Sequence, residues 1–554
     1  MKYSTKLLSQ SLTQICLLKG VTYIVISPGS RNAPLTIGFV ENENFNCFSI
    51  VDERCAAFFA LGMAQQLKLP VVLLCTSGSA LLNYYPAIAE AFYSDIPLVV
   101  ISADRPKELI NIGDGQTIQQ ENVFANHILY NANCKDGNEN LTYNENEINQ
   151  AFNIAFEQQG PVHINIPFAE PLYDTVDELK VHPTIIPLNS PEKKASIELD
   201  PFVDKWNASR KKIILIGALA PNSIEQKFID QLANDESVVV FTETTSNVHH
   251  HNIFHSIDLL IAPLEEEGFK KLQPEILITF GGMVVSKKIK AFLRNYSPGE
   301  YWHIDSKKAF DTYFCLKHHF KMTPNEFFNE FLQQTIEAES TFQKDWLKVK
   351  QHRLNRQALY ESSMPYSDYK VFSEIMKSLP NNIQLQLSNS ATIRYSQLFK
   401  LDKSISVFCN RGTSGIDGCT STAIGAAYVS KNPTVFITGD LSFFYDSNAL
   451  WNNYIPYNFK IIVINNGGGG IFRILPGDKN SEKFKTYFET KHHLTAEHLC
   501  KMYDFDYHSV SVENELKDSL NSFFKEPNTP KLLETFTPSE INDKVLLDYF
   551  KFIK

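Results

Sequence analysis

Short apolar, β-branched runs that end in small or charged residues recur along the chain, and this pattern constrains the fold more than any other feature. In the first third of the chain they cover residues 23–26, 48–51, 71–75, 98–102 and 161–167. Buried strands of parallel sheets have this composition, and ligands bind at the carboxyl ends of such strands. The sequence therefore predicts an α/β fold in which each sheet has a functional edge.

The same pattern returns in two later groups. The runs cover residues 213–216, 238–241, 276–278 and 302–304, and then 434–438 and 460–464. A polar, proline-punctuated stretch at 183–201 reads as a linker, and a charged helical stretch at 325–356 leads into the last group. No G-x-G-x-x-G follows a strand of the middle group, so a dinucleotide site is unsupported there. We predict three doubly wound parallel-sheet domains, at 1–180, 195–350 and 360–554.

Composition and charge narrow the class of protein. Hydrophobic residues make up 43% and charged residues 21% of the 554 residues, which is ordinary for a globular protein. The net charge of −10 argues against nucleic acid and against an anionic membrane surface as partners. Residues 1–20 have amphipathic spacing rather than the apolar core of a signal peptide, and no membrane insertion is expected. Nine cysteines without a C-x-x-C motif imply reduced thiols, so we expect a cytoplasmic enzyme.

Two polar side chains follow neighbouring predicted strands of the last group. Asp440 comes after the run 434–438 and Gly439, and Asn466 comes after the run 460–464 and before the glycine loop 467–470. Asn466 lies 26 residues after Asp440, which leaves room for one crossover. Carboxylate and amide oxygens suit Mg²⁺ that bridges to substrate phosphates. The alternative interpretation is that Asp440 caps a helix and the Asn pair forms a turn.

The Asp440 and Asn466 pair resembles the G-D-G…N-N signature of thiamine-diphosphate enzymes, with Leu441 in place of the usual third glycine. This resemblance implies a fold of the thiamine-diphosphate enzyme type, with thiamine diphosphate as cofactor and Mg²⁺ or Mn²⁺ as its metal. It also implies that the pyrimidine and diphosphate sites come from different subunits. We therefore expect at least a homodimer, or a dimer of dimers.

Glu53 lies one residue past a predicted strand and before an apolar helix, so it is expected to be largely buried, with a raised pKa. One interpretation is a carboxylate favoured by the helix macrodipole. The resemblance to thiamine-diphosphate enzymes implies instead that Glu53 hydrogen-bonds N1′ of the cofactor aminopyrimidine and is catalytic.

Six longer motifs resemble one family within this class. They are SPGSRNAPL (27–35), the run from DER to ALGMA (52–64), TSGSA (76–80), ADRPKEL (103–109), NRGTSGIDG (410–418) and GDLSFFYDSNAL (439–450). They are similar to the 2-succinyl-5-enolpyruvyl-6-hydroxy-3-cyclohexene-1-carboxylate synthases of menaquinone synthesis, over essentially the whole chain, and Leu441 fits this family. The resemblance implies a transferase that decarboxylates 2-oxoglutarate and adds the resulting succinyl carbanion to isochorismate in 1,4 fashion.

Matching the family position by position assigns the site residues. Both substrates are rich in carboxylates, which arginine binds through two parallel hydrogen bonds. The implied catalytic residues are Glu53 and Gln116, and the implied metal ligands are Asp440, Asn466 and Gly468. The implied substrate-binding residues are Ser30, Arg31, Arg105, Lys287, Lys288, Ser390, Arg394 and Arg411. The implied cofactor-binding residues are Glu53, Ile416, Ser442, Gly468, Phe472 and Leu475; for Phe472 and Leu475 ordinary core packing is the alternative.

Other functions remain open from the sequence. Another thiamine-diphosphate decarboxylase or carboligase is one alternative, but decarboxylases of this fold carry a His-His pair where Gly113-Asp114-Gly115 stands here. Acetolactate synthases add a flavin-binding middle domain, for which the sequence has no signal. A non-catalytic scaffold of the same fold is the alternative from a different class.

Overall fold

Three parallel β-sheets organise the chain in the computed structural model, which describes residues 1–189, 198–474, 478–525 and 529–554. The sheets have six, five and six strands, and all of their strand pairs are parallel. Helices cover both faces of each sheet, because alternate residues of the strands pack into separate apolar cores. The predicted α/β class with three doubly wound sheets is confirmed.

The first sheet lies in the N-terminal third. From edge to edge its strands are Asn46–Ser49, Tyr23–Ile26, Val71–Cys75, Leu98–Asp104, Val162–Pro167 and Tyr130–Asn133. Its helices are Leu7–Leu18, Ala33–Val40, Glu53–Leu67, Ser79–Asn83, Tyr85–Ser94 and Leu141–Gln158. A short antiparallel pair, Tyr3–Ser4 with Thr175–Val176, lies beside it. The strand predicted at 48–51 begins and ends two residues earlier, where the parallel register with Tyr23–Ile26 fixes it.

The middle sheet has strands Val238–Thr242, Lys212–Ile216, Ile276–Phe280, Glu300–Ile304 and His318–Phe320 in spatial order. Its helices are Asp200–Ala208, Gln226–Asn234, Ile257–Ile261, Glu266–Leu272, Lys287–Asn295 and Pro324–Phe331. The predicted helical stretch 325–356 is two helices rather than one, because residues 332–341 leave the helical path before Phe342–Ser363 begins.

The third sheet has strands Ser406–Cys409, Gln384–Leu387, Thr434–Gly439, Lys460–Asn465, Lys531–Phe536 and Asp506–Val510 in spatial order. Its helices are Asp368–Ser378, Ala391–Ser396, Cys419–Val429, Asp440–Tyr445, Glu482–Phe484, Glu497–Met502, Glu513–Phe523 and Asn542–Phe552, with a π-helical turn at Lys485–Glu489. Numbered along the chain within each unit, its strands follow the same spatial order as those of the first sheet. The predicted shared layout of these two units is therefore observed.

The helix Phe342–Ser363 joins the second and third units. Gln343 near its start donates to three backbone carbonyls of the middle unit, at 2.7–3.1 Å. Tyr360 near its end donates to the carbonyl of Val545 at 2.7 Å. Because this helix hydrogen-bonds to both units, the predicted limits of the second and third domains, 195–350 and 360–554, stay a prediction. Among the described residues, no helix is long and apolar enough to cross a bilayer.

Candidate active site

Asp440 lies at the carboxyl edge of the third sheet and is 3% exposed. Gly439 pairs with Ile464 across the two central strands, so the residues that follow both strands emerge side by side. Gly468 N–H donates to Asp440 Oδ2 at 2.9 Å, and His492 Nε2 lies 3.3 Å from the same oxygen. The N-cap of the helix Asp440–Tyr445 is Gly439, so the alternative that Asp440 caps this helix is wrong.

The two asparagines after the neighbouring strand have different roles. Asn465 forms a turn, because its Oδ1 accepts from Gly467 N–H at 3.1 Å. Asn466 donates from Nδ2 to Asp368 at 2.9 Å, whereas its Oδ1 is buried without a hydrogen-bond partner among the described residues. A buried amide oxygen with no donor is costly unless a ligand satisfies it. Asn466 Oδ1 is therefore available to a cation.

These residues fit a divalent metal ion. The Asp440 carboxylate, the Asn466 amide oxygen and the Gly468 carbonyl follow two neighbouring strands at one edge, and all three are hard oxygen donors of the kind that Mg²⁺ takes. A side chain at Gly468 is excluded, since a Cβ there would lie 2.5 Å from the carbonyl oxygen of Glu489. The set would hold a divalent metal ion.

The glycine loop is held against the segment 485–493. Arg473, 6% exposed, forms an ion pair with Glu489, and its Nη2 donates to Oε2 at 2.8 Å. His492 N–H donates to Gly467 O at 3.1 Å. The half-buried Phe472 ring lies 6.1 Å from that of Phe488, and its role at the cofactor stays a prediction. The predicted Leu475 lies outside the described residues.

Two other predicted cofactor-binding residues contact each other at this edge. Ser442, which is buried, donates to Ile416 O at 2.7 Å. Ile416 belongs to the loop between the strand Ser406–Cys409 and the helix Cys419–Val429. This hydrogen bond connects the segment after the strand Thr434–Gly439 with the loop after the strand Ser406–Cys409, close to Asp440 in the chain.

Glu53 is the first residue of the helix Glu53–Leu67, and Asp52 is its N-cap. The prediction of a largely buried side chain is wrong for the single chain, because Glu53 is half-buried where the helix leaves the sheet edge. The predicted direction of the pKa shift is confirmed. Burial raises the pKa of the Glu53 carboxyl, and the charge of Asp52 raises it further. Among the described residues, no other residue donates a hydrogen bond to this carboxylate.

The segment around Glu53 packs directly on the third unit. Asp52 accepts from Asn448 Nδ2 at 2.8 Å, and Arg54 donates to Tyr445 O at 2.9 Å. The helix that follows crosses Cys419–Val429 so closely that a Cβ at Gly62 would lie 2.0 Å from Thr422 O. Only glycine permits this backbone approach.

Each of the four predicted substrate-binding arginines, Arg31, Arg105, Arg394 and Arg411, has a buried Nε without an acceptor among the described residues. Arg31 is 5% exposed and pairs with Glu170 at 3.1 Å, and Arg105 pairs with Asp114 at 3.4 Å. Burial, and next the charge of Arg105, lower the pKa of Arg31. The two guanidinium groups therefore interact, and each pairs with one carboxylate.

Arg394 and Arg411 form the second pair. Arg411 donates to Asn389 Oδ1 at 2.7 Å, and in the described part of the chain neither arginine has a carboxylate within 4.0 Å. Burial and then the Arg411 charge lower the pKa of Arg394. Ser390, with a φ of 67°, is the N-cap of the short helix that carries Arg394. No described contact joins this pair to the first pair.

Lys290 of the middle unit is a cationic residue near Arg411 that was not predicted from the sequence. Lys287 and Lys288 are exposed, and Lys288 Nζ lies over the Phe550 ring at 5.1 Å. Lys290, two residues on, is half-buried, and with Arg411 it lines a cavity of about 460 Å³. Burial lowers the pKa of Lys290, and the Glu243 charge opposes this. Helical spacing places Lys290 on a different face from Lys288, which a motif match alone does not reveal.

Glu243 is a second residue that the sequence did not single out. It is 3% exposed and accepts from Val285 N–H at 2.7 Å and Ser286 N–H at 2.8 Å, which fixes the start of the helix Lys287–Asn295. Burial raises the pKa of the Glu243 carboxyl to about 7. The charge of Arg411 opposes this shift, and the Glu243 charge in turn acts on Lys290 and Arg394.

Ser30 and Gln116 are exposed in the single chain. Gln116 has a φ of 56°, and its backbone lies against Gly78, where a Cβ would approach Gln116 O to 3.2 Å. The side chains of Ser30 and Gln116 make no hydrogen bond among the described residues. Their roles stay predictions.

Models of three protein-family domains match the chain in order. They are the thiamine pyrophosphate enzyme N-terminal TPP binding domain at 7–127, the middle domain of thiamine pyrophosphate at 188–387, and the thiamine pyrophosphate enzyme C-terminal TPP binding domain at 390–535. With the three doubly wound sheets, they define a thiamine-diphosphate-dependent enzyme.

Curated relatives narrow the class. The chain is 59% identical to the 2-succinyl-5-enolpyruvyl-6-hydroxy-3-cyclohexene-1-carboxylate synthase of Flavobacterium psychrophilum over 98% of both chains. It is 55% identical to that of Christiangramia forsetii and 36% identical to that of Porphyromonas gingivalis, in each case over 98% or more of both chains. The chain belongs to the 2-succinyl-5-enolpyruvyl-6-hydroxy-3-cyclohexene-1-carboxylate synthase family.

Proposed function

We propose that the protein uses thiamine diphosphate and Mg²⁺ or Mn²⁺ to decarboxylate 2-oxoglutarate and to transfer the succinyl carbanion to isochorismate by 1,4-addition. The product is 2-succinyl-5-enolpyruvyl-6-hydroxy-3-cyclohexene-1-carboxylate, in menaquinone biosynthesis. The observation that carries the proposal is the set of four arginines whose buried Nε atoms lack acceptors. A buried N–H group without a partner requires an acceptor, and the carboxylates of both substrates can supply one.

The cofactor and the protein have separate roles in the proposed reaction. Bound thiamine diphosphate supplies the stabilised carbanion. Asp440, Asn466 and Gly468 hold the metal at the diphosphate, and Glu53 holds the proton shared with N1′ of the aminopyrimidine. Glu53 suits this role because its carboxylate is half-buried and accepts from no other described residue. A raised pKa favours a shared proton over a fixed charge.

The substrate carboxylates are bound by the cations. Arg394 and Arg411 have no carboxylate within 4.0 Å among the described residues, so they are placed to bind a substrate carboxylate through charge-assisted hydrogen bonds. Lys290 and the pair Arg31 and Arg105 extend the positive surface. Ser30, Ser390 and Gln116 complete the proposed substrate contacts, and Gln116 assists a proton transfer.

We also propose that two copies of the chain complete each site. The two arginine pairs lie on different units without a described contact between them, and Ser30 and Gln116 are exposed in one chain. A second copy would bring a first-unit edge to a third-unit edge and cover these residues. A cytoplasmic location belongs to the proposal too, since nine unpaired cysteines suit a reducing compartment.

The test supplies purified protein with thiamine diphosphate, Mg²⁺ and both substrates, and measures carbon dioxide and the product by mass spectrometry. We expect carbon dioxide and product in equal amounts, and little carbon dioxide from pyruvate alone. Turnover of pyruvate with no reaction on isochorismate would support another decarboxylase or carboligase. No turnover and no thermal stabilisation by the cofactor would support the scaffold alternative.

Arg394→Ala and Arg411→Ala should each raise the KM of a substrate by roughly ten- to a hundredfold, with a smaller change in kcat. The expected size follows from the loss of a charge-assisted hydrogen bond, worth about 1.5–3 kcal/mol. Steady-state kinetics with each substrate varied in turn also reveal which substrate each arginine binds. Arg210→Ala, on an exposed side chain of the middle unit, is the control. Unchanged kinetic constants in both variants would remove these arginines from the site.

A further inference from the structure

The orientation of the Asn466 amide decides whether it can bind a metal. One end of an amide group accepts and the other end donates. Nδ2 points at Asp368 and donates to its Oδ2 at 2.9 Å, which leaves Oδ1 buried and unpartnered at the edge where Asp440 lies. The reverse orientation would present an N–H₂ group to the cation and abolish coordination.

The Asp368 carboxylate fixes the orientation of the Asn466 amide. An ionised carboxylate only accepts hydrogen bonds, so it must face the donor end of the amide. With Oδ1 of Asn466 turned toward it, two buried acceptors would meet, and the N–H₂ group would lose its partner. Each unsatisfied buried group of this kind costs about 1–3 kcal/mol.

Asp368 is itself fixed from three sides. It is 2% exposed and is the first residue of the helix Asp368–Ser378. Thr537 Oγ1 donates to its Oδ1 at 2.5 Å, and its own N–H donates to Asn542 Oδ1 at 2.8 Å. Thr537 N–H in turn donates to Asn465 O at 3.0 Å, which ties this support to the strand end that carries Asn466. These hydrogen bonds therefore hold the Asp368 carboxylate in place beside the Asn466 amide.

We infer that Asp368 is a positioning residue of the metal site, which orients Asn466 by accepting from its Nδ2 so that Oδ1 faces the ion. The inference rests on the proposed metal role of Asp440 and Asn466. Asp368 does not touch the metal, and it acts through the amide alone. Residues that orient a metal ligand typically contribute about ten- to a hundredfold to metal affinity.

The test compares Asp368→Ala with the matched control Asp446→Ala. Asp446 is also a buried carboxylate of the third unit, and it accepts from Ser421 N–H at 2.7 Å and Ser421 Oγ at 3.0 Å instead of from Asn466. Each substitution therefore removes one buried carboxylate.

Mn²⁺ affinity is measured in the full-length protein with saturating thiamine diphosphate, from the electron paramagnetic resonance signal of free Mn²⁺. We expect the Kd for Mn²⁺ to rise about ten- to a hundredfold in Asp368→Ala and to stay within about twofold in Asp446→Ala. An Asp368→Ala affinity equal to that of the parent protein would overturn the inference. A parent protein without Mn²⁺ binding would instead overturn the metal site on which it rests.

Asp368→Asn keeps the experiment decisive if the alanine variant does not fold. An asparagine at this position can meet Asn466 with either end, so the orientation of Oδ1 is no longer imposed. We expect a severalfold rise in the Kd for Mn²⁺, with a melting temperature of the metal-free protein near that of the parent. An unchanged Kd in this folded variant would also contradict the positioning role.

Discussion

Glu53→Gln is expected to lower kcat by about three orders of magnitude, in the middle of the range for a general acid–base group. Glutamine has nearly the same shape, but its amide cannot share the proton of N1′ as a carboxyl group does. The fold should persist, because no other described residue donates to the carboxylate that is removed. The free energy of unfolding should stay within about 1 kcal/mol of the parent value, as for a substitution that breaks no internal hydrogen bond.

The measurements are kcat with both substrates and the midpoint of thermal unfolding without cofactor. Glu41→Gln is the control, since Glu41 is an exposed glutamate of the same unit. Near-normal turnover in Glu53→Gln would refute the proposed contact with N1′. Lost turnover together with an equally large loss of stability would point to a structural role for Glu53.

Asp440→Ala is expected to abolish the metal-dependent retention of thiamine diphosphate. The carboxylate is the charged member of the proposed ligand set, and its removal also leaves Gly468 N–H without its acceptor. In the parent protein, cofactor and Mg²⁺ at about a hundred times their Kd should add about 2.7 kcal/mol to the free energy of unfolding. This stabilisation should be absent in the variant.

Scanning calorimetry with and without thiamine diphosphate and Mg²⁺ measures the effect. Asp440→Asn separates the two consequences, because it retains an acceptor for Gly468 N–H but loses the charge, and it should retain part of the stabilisation. Asp518→Ala, on the exposed side of the helix Glu513–Phe523, is the control. A cofactor titration unchanged by Asp440→Ala would contradict the metal assignment.

Most of the fold was predictable because the signals that specify buried parallel strands are local. The runs 23–26, 71–75 and 434–438 are apolar, β-branched and bounded by glycine or polar residues, and each is a strand in the structure. The error at 48–51 arose where pairing with Tyr23–Ile26, and not composition, set the limits of the strand. The predicted helical stretch 325–356 contains a break at 332–341, and no glycine or proline marks this break in the sequence.

The candidate site was predictable only in part. Asp440 and Asn466 were placed at one edge because neighbouring parallel strands end together. The partial exposure of Glu53 was not predictable, since burial depends on what the rest of the molecule packs around a helix start. Lys290 was not predicted as a site residue, because its interaction with Arg411 depends on how the middle and third units pack together.

The sequence by itself determined the succession of strands and helices, the family and the chemical types of the site residues, because residue spacing and motifs carry these properties. Only the tertiary structure decided which polar atoms are left without partners. Asp368 lies 98 residues before Asn466 and has no motif around it, yet it selects the end of the amide that faces the metal edge. Such a contact depends on the packing of distant segments, which local sequence does not encode.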